Sequence, residues 1–265
     1  MAQRYHLREG IIIRRMELPS GDVVVTLFSE GGKWRGLARK GKLPGGNLGR
    51  LSLFHHVTLQ HYAKNDEDLS VITQVSLNGA LAKLSHPEVY PFAHLLAELA
   101  DKLSADVQPG ESPGGSMYSY LAAGLRGLAQ HDDPERVALT IAWKLLRQAG
   151  LTPRLQGCAH CGASDLGANG AAPRFDIAAG GVTCGRCNSG LPLAGESLAL
   201  LERMVLGTVR EALESSIGDP AGDPAGKPAD DLFPLWRLLS RYLAYHVGAL
   251  NSLSGLSRAQ LEPAS

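Results

Sequence analysis

The apolar positions of the first 76 residues come in short runs broken by turn residues, at the period of a pleated strand rather than a helix. Arg8 to Arg15 carries Ile11, Ile12 and Ile13; Pro19-Ser20-Gly21-Asp22 makes a turn; Val23 to Phe28 is apolar almost throughout; and Glu30-Gly31-Gly32 turns again before Lys33 to Lys40. Leu53 to Gln60 and Leu69 to Val75 add two more runs. Branched side chains suit a half-buried sheet, and the Gly, Pro, Asn and Asp clusters supply the reversals. Five short strands in about seventy residues predict a small Greek-key barrel of the oligonucleotide-binding (OB-fold) type over residues 1–78.

From about residue 79 the period changes. Ser85-His86-Pro87-Glu88 has the form of a capping box with a first-turn proline, and Leu95, Leu96, Leu99 and Leu103 follow at helical spacing. Tyr118 to Gln130 is a second helix, with Leu121, Leu125 and Leu128 on one face. Asp133-Pro134-Glu135 opens a third by an N-cap aspartate and an N1 proline, and Gly150 ends it. These three predict a helical bundle over 79–157. Further helices are predicted at Glu196 to Ser215 and Phe233 to Gly248, within a C-terminal part spanning 191–265. Between them an Asp-Pro-Ala-Gly repeat near 218–231 has too little apolar surface to order itself and is expected to be a disordered loop. The fold class expected is α+β, a five-stranded barrel followed by an all-helical domain.

All four cysteines of the chain fall in one stretch, as Cys158-Ala159-His160-Cys161 and Cys184-Gly185-Arg186-Cys187, with 22 residues between the pairs. Each Cys-x-x-Cys turn delivers two thiolates to one ion, and two such turns close a tetrahedral shell, so Cys158, Cys161, Cys184 and Cys187 are the expected ligands of one structural zinc per chain. Gly162 and Asn188 each follow the second cysteine of a pair, where tolerance of positive φ lets the turn fold back and aim N–H groups at sulfur. A disulfide within either pair closes too small a loop to staple anything. Residues 158–190 thus read as a zinc-ribbon module set into the helical domain, with Pro173 to Ile177 as a short strand beneath it.

Composition changes this picture little and charge changes it more. The chain is 44% hydrophobic and 20% charged, which excludes wholesale disorder. No run of eighteen apolar residues and no apolar leader segment is present, so a cytoplasmic protein without membrane contact is expected. The formal net charge is zero, yet residues 1–64 carry 11 basic against 4 acidic side chains, a balance of +7, and the remainder 15 against 22, a balance of −7. A regional excess of this kind suits the barrel to a polyanion. Lys33, Arg35, Arg39, Lys40, Lys42 and Arg50, on the third strand and the glycine-rich loop after it, are the candidate phosphate contacts. Arg35 and Arg39 have the same strand parity and are expected to share a face. Trp34 and Phe28 are candidates for stacking on bases, with at least one of them expected in the core. The loop lacks the Gly-Lys-Ser/Thr ending of a phosphate loop, and His55, His56 and His61 have no metal-motif spacing.

The segments Gly10-Ile11-Ile12-Ile13-Arg14-Arg15, Asp22 to Glu30 and Gly36-Leu37-Ala38-Arg39-Lys40-Gly41 resemble the opening of the bacterial recombination mediator RecO family. The order barrel, helices, embedded double Cys-x-x-Cys is similar to that family over nearly the whole chain. The resemblance implies a DNA repair protein that binds single- and double-stranded DNA and anneals complementary strands. It also implies that, with RecR, the protein helps load RecA onto strands coated by single-strand-binding protein. No nucleophile elbow, phosphate loop or His-Glu-x-x-His occurs, so neither an enzyme nor a small-molecule substrate is expected. An RNA- or ribosome-associated barrel with a zinc ribbon is the rival binding protein, and a zinc hydrolase, which needs an open coordination position, the rival enzyme.

Overall fold

Strands β1 (His6–Glu17), β2 (Val23–Ser29), β3 (Gly32–Ala38), β4 (His56–Tyr62) and β5 (Ser70–Gly79) close into a barrel in the order β1-β2-β3-β5-β4. The computed structural model that shows this describes residues 5–40, 49–63, 69–104, 115–167, 172–214 and 231–256. The chain divides into two compact units, Met1–Asp132 and Asp133–Ser265. The pairings are antiparallel except that of β3 with β5, where Gly36, Leu37 and Ala38 lie parallel to Ser70, Val71 and Ile72 and close the barrel.

Alternation explains the interior. Ile12, Val23, Val25, Leu27, Val57, Leu59, Ile72 and Val75 point inward and form one core. β2 is buried along its other face too: Val24, Thr26 and Phe28 are covered, and the Phe28 ring lies 6.1 Å from that of Tyr118 on α2 (Gly115–Gln130). That double burial is why its sequence is a continuous apolar run, and it places Phe28 in the core. The fourth strand begins at His56, three residues later than its apolar run suggests. Phe54 instead takes φ of 67° and donates its N–H to Ile12 O at 2.8 Å, while the Ile12 N–H reaches His55 O at 3.0 Å. β1 carries a bulge between Ile12 and Arg14.

α1 (Tyr90–Leu103) and α2 belong to the first unit, with the barrel. The capping box expected at Ser85 does not form. Ser85 Oγ donates back to Ala82 O at 2.7 Å within a 3-10 turn, Ala82–Ser85, and α1 starts at Tyr90 with Pro91 in its first turn. α3 (Pro134–Gln148) belongs to the second unit. Its caps follow the sequence: Asp133 Oδ1 accepts the Arg136 N–H at 2.9 Å, and Gly150, at φ of 78°, lets Leu151 N–H reach Leu146 O at 2.9 Å.

Where one helix was expected over 196–215, two occur, α4 (Gly195–Leu206) and α5 (Val209–Glu214). The break is made by α3. Buried Lys144 donates to Val205 O at 3.0 Å and also to Gly207 O, and Arg147 Nη1 reaches Val205 O at 3.3 Å. Two cations thus satisfy the orphan carbonyls at the α4 C-terminus. Burial, reinforced by the neighbouring Arg147 charge, draws the Lys144 ammonium down to about 8. α6 (Phe233–His246) completes the unit together with a small sheet, β6 (Arg174–Asp176), β7 (Gly181–Thr183) and β8 (Leu191–Pro192), in the order β7-β6-β8. The Asp-Pro-Ala-Gly repeat and the glycine-rich stretch 41–48 lie outside the described residues.

One core position carries a pH dependence. His61 is 5% exposed, faces the Trp34 ring at 4.5 Å between centroids, and has no hydrogen-bond partner on either ring nitrogen among the described residues. Burial first, then the like charges of Arg8 and His6 on β1, draw it down to about 4. The unfolded chain therefore binds a proton here near pH 6.5 that the folded chain refuses until about pH 4. Its contribution to stability is complete above pH 6.5 and is lost as pH falls toward 4. His61→Phe, which keeps the ring and removes the proton site, is expected to flatten the acid limb: between pH 7 and pH 5 the wild-type urea midpoint falls more than that of the variant. Equal falls would exclude His61 as the cause.

Candidate metal centre and nucleic-acid interface

Each cysteine pair sits on a turn closed by the residue behind it. Gly162 (φ 76°) donates its N–H to Cys158 O at 2.9 Å, and Asn188 (φ 47°) donates to Cys184 O at 2.9 Å, so the positive-φ expectation holds at both positions. The sheet brings the two turns together. Ala159 N–H reaches Val182 O at 2.7 Å, just ahead of the second turn, and the Cys184 N–H points at Cys158 Sγ at 3.4 Å. All four sulfurs lie within 4.8 Å of one another, and Cys161 and Cys184 are 3.7 Å apart. A tetrahedral ion with metal–sulfur bonds of about 2.3 Å sets its ligands roughly 3.8 Å apart, so the donor set fits one closed-shell ion.

Electrostatics asks for the same ion. At Cys158 burial raises the thiol, but N–H groups of Cys161, Cys184 and His160 outweigh it and bring the group down to about 5. Cys187 is pushed up to about 12, chiefly through its contact with the Cys161 sulfur and then that of Cys158. One thiolate among these sulfurs opposes the next, and a divalent cation at their centre removes the conflict.

The support around the ligands was not legible in the spacing. His160, inside the first turn, is not a fifth ligand candidate: its Nε2 lies 3.0 Å from Asp176 Oδ2 on β6. The same carboxylate accepts Ser189 Oγ–H from beyond the second turn at 2.5 Å, and the N–H groups of Ala178 and Ala179 at 2.9 and 3.1 Å. Those bonds, Ser189 first, hold Asp176 down to about 2. Asp176 therefore ties both turns to the β6–β7 hairpin. The only sign of it in the sequence is an acidic residue at the end of a short strand. The hairpin is anchored in turn to helices: buried Phe175 meets the Tyr242 ring at 6.0 Å, and His246 Nε2 bonds Ile177 O at 2.9 Å.

The barrel's basic candidates separate into distinct environments. Arg35, Arg39, Lys40 and Arg50 are exposed. Arg35 is on β3, but the strand ends at Ala38, so Arg39 and Lys40 belong to the turn beyond it and strand parity does not govern them. Lys40, at φ of 51°, gives its N–H to Asp22 Oδ1 at 2.7 Å, the contact that most lowers the Asp22 carboxyl. Lys33 is turned to α1, where its ammonium reaches Asp101 O at 2.8 Å and Asp101 Oδ1 at 3.3 Å in the last helical turn. Trp34 is half-buried against the barrel core, with the Arg8 guanidinium 5.8 Å from its ring centre. Phe28 is fully buried and offers no face to a base. Lys42 lies outside the described residues.

Comparison with known proteins assigns the family. The model for Recombination protein O N terminal matches residues 1–80, and that for Recombination protein O C terminal matches residues 85–254. The chain belongs to the RecO family. Among relatives named DNA repair protein RecO, that of Anaeromyxobacter dehalogenans is 33% identical over 80% of this chain and 84% of its own length. That of a Nocardioides species is 30% identical over 90% of this chain and 93% of its own length. RecO membership makes this a DNA repair protein, and it agrees with the barrel-then-helix order seen here. No helix among the described residues is long and apolar enough to cross a membrane.

Support of the metal turns by Asp176 has a measurable consequence. Cys158→Ser and Cys184→Ser are expected to abolish bound metal. Asp176→Asn keeps the shape but weakens four hydrogen bonds, and is expected to weaken metal retention about 10- to 100-fold against a chromophoric chelator. Metal loss in Asp176→Asn no faster than in wild type would show that the two turns hold themselves.

Proposed function

We propose that this protein is a recombination mediator that binds single- and double-stranded DNA through the sugar–phosphate backbone and anneals complementary strands. With RecR, it helps place RecA on strands coated by single-strand-binding protein. The metal is one structural zinc, and the protein acts at the nucleoid without making or breaking bonds. The observation that carries this reading is the exposure of Arg35, Arg39, Lys40 and Arg50 on a closed barrel whose segment holds a charge balance of +7. Annealing brings two polyanions together while their bases stay free to pair, which favours backbone contacts over base readout. Zinc is the ion that four thiolates in a closed tetrahedral shell select, and such a shell has no position for a substrate. The family membership supports the repair role, and the RecR, RecA and single-strand-binding partners follow from the resemblance of the whole chain to that family.

Counterion release gives the test. If Arg35, Arg39, Lys40 and Arg50 each meet a phosphate, log affinity for single strands falls with log salt at about −0.7 per contact. Arg35→Ala with Arg39→Ala is expected to flatten that slope by roughly 1.4, weaken binding to unrelated sequences equally, and slow annealing in parallel. Fluorescence anisotropy across a salt series reads the slope. An unchanged slope in the double variant would make these arginines a solvated face.

A further inference from the structure

Three departures from regular barrel geometry meet at one cavity in the first unit. The bulge in β1 between Ile12 and Arg14 shifts the register, so that Arg15 pairs with Val25, a strand position whose side chain points into the barrel core. Phe54 is held at φ of 67°, a conformation that bulky residues avoid, by the exchange of hydrogen bonds between Ile12 and the pair Phe54 and His55. The 3-10 turn Ala82–Ser85 then supplies the far wall. The cavity is about 370 Å³, within the range of about 300–1,000 Å³ typical of small-molecule sites, and is lined by Arg15, Leu53, Phe54, Leu81, Leu84 and Tyr90 among others. Bulges and strained backbone persist where the surrounding structure maintains them, and they cluster at binding sites.

We infer that this cavity receives one unpaired nucleobase of a DNA strand lying on the barrel, an inference that rests on the DNA-binding function proposed above. The lining matches the parts of a base. Tyr90 is 39% exposed, its ring meeting the buried Phe54 ring edge-on at 5.8 Å, which leaves an aromatic surface at the cavity for a flat ligand. Leu53, Leu81 and Leu84 give apolar walls. Arg15 is held by Glu17 Oε1 at 3.2 Å, so its charge is compensated while its planar group remains a donor for a base edge rather than a pull on the phosphate chain. His55, whose Nδ1 is fixed on Arg50 O at 3.1 Å, sets exposed Arg50 beside the site, where a phosphate following the inserted base can meet it. A paired base cannot enter such a cavity without leaving its stack, so the site gives the protein a preference for single strands that the exposed arginines alone do not supply.

The test uses the full chain and an oligothymidylate carrying one 2-aminopurine, as a single strand and as a duplex. The single strand is expected to lose 2-aminopurine fluorescence on binding and the duplex to keep it. Tyr90→Ala is expected to abolish the quenching and lower single-strand affinity on the order of tenfold, with duplex affinity unchanged within twofold, and Tyr90→Phe to restore both. Ala82→Leu, which fills the cavity from its exposed rim without removing any packing, is expected to act as Tyr90→Ala does. Binding of the single strand with no change in fluorescence, or quenching that survives both Tyr90→Ala and Ala82→Leu, overturns the base site and leaves backbone binding standing. Failure of the wild-type chain to bind either DNA overturns the underlying function as well.

Discussion

The first unit depends on keeping both faces of β2 from water. Val23, Val25 and Leu27 belong to the barrel interior, whereas Val24, Thr26 and Phe28 are buried on the other side, with Phe28 set against Tyr118 of α2. A strand sealed on both faces cannot face a ligand. Lys33, directly opposite Phe28 on β3, is consequently drawn to Asp101 at the end of α1 instead of to solvent. Arg35 and the turn after β3, by contrast, present their basic side chains to solvent. The same packing that stabilises the barrel therefore holds Lys33 against α1.

The second unit is organised by a different constraint. Four sulfurs within 4.8 Å leave no room for four negative charges without a cation, and the upward displacement of Cys187 by its neighbouring sulfurs expresses that conflict. Asp176 contributes by tying the two turns to one carboxylate, through His160 within the first and Ser189 beyond the second. Phe175, one residue earlier and pointing to the opposite side of β6, fastens the hairpin to Tyr242. Adjacent residues of one short strand thus link the metal turns on one side and the helical core on the other. Loss of metal should be felt in the packing around Tyr242 before it is felt in the barrel, which has its own core.

Much of this was legible because it depends on local chemistry. The five strands, the Asp133 cap, the Gly150 stop and the positive-φ residues behind each cysteine pair are all dictated within a few residues. What was not legible depends on partners distant in sequence. Ser85 and Glu88 have the letters of a capping box, but Ser85 turns back to Ala82 and the helix starts at Tyr90. The helix expected from Glu196 onward breaks at Gly207 because Lys144, some sixty residues earlier, takes its terminal carbonyls, and nothing in an α3 leucine stripe signals a buried lysine. Leu53 and Phe54 carry the pattern of a strand, yet hydrogen bonds from Ile12 bend them into a turn. Asp176 is one acidic residue among many until the fold sets His160 and Ser189 beside it.

The neutral total charge does not weaken the case for a polyanion at the barrel. At physiological salt the screening length is about 8 Å, so a phosphate responds to the charges near it and not to the sum over a 28.1 kDa chain. Asp22 is in contact with the turn after β3, and its carboxylate is already bound by the Lys40 N–H. Arg39 and Lys40 are the nearby cations that most lower that carboxyl after its hydrogen bonds, and the Lys40 N–H bond fixes the turn that carries them. Asp22 therefore costs the surface one charge and in return orders two, a balance that favours contact with a phosphate chain even though every acidic residue in the region counts against it in the composition.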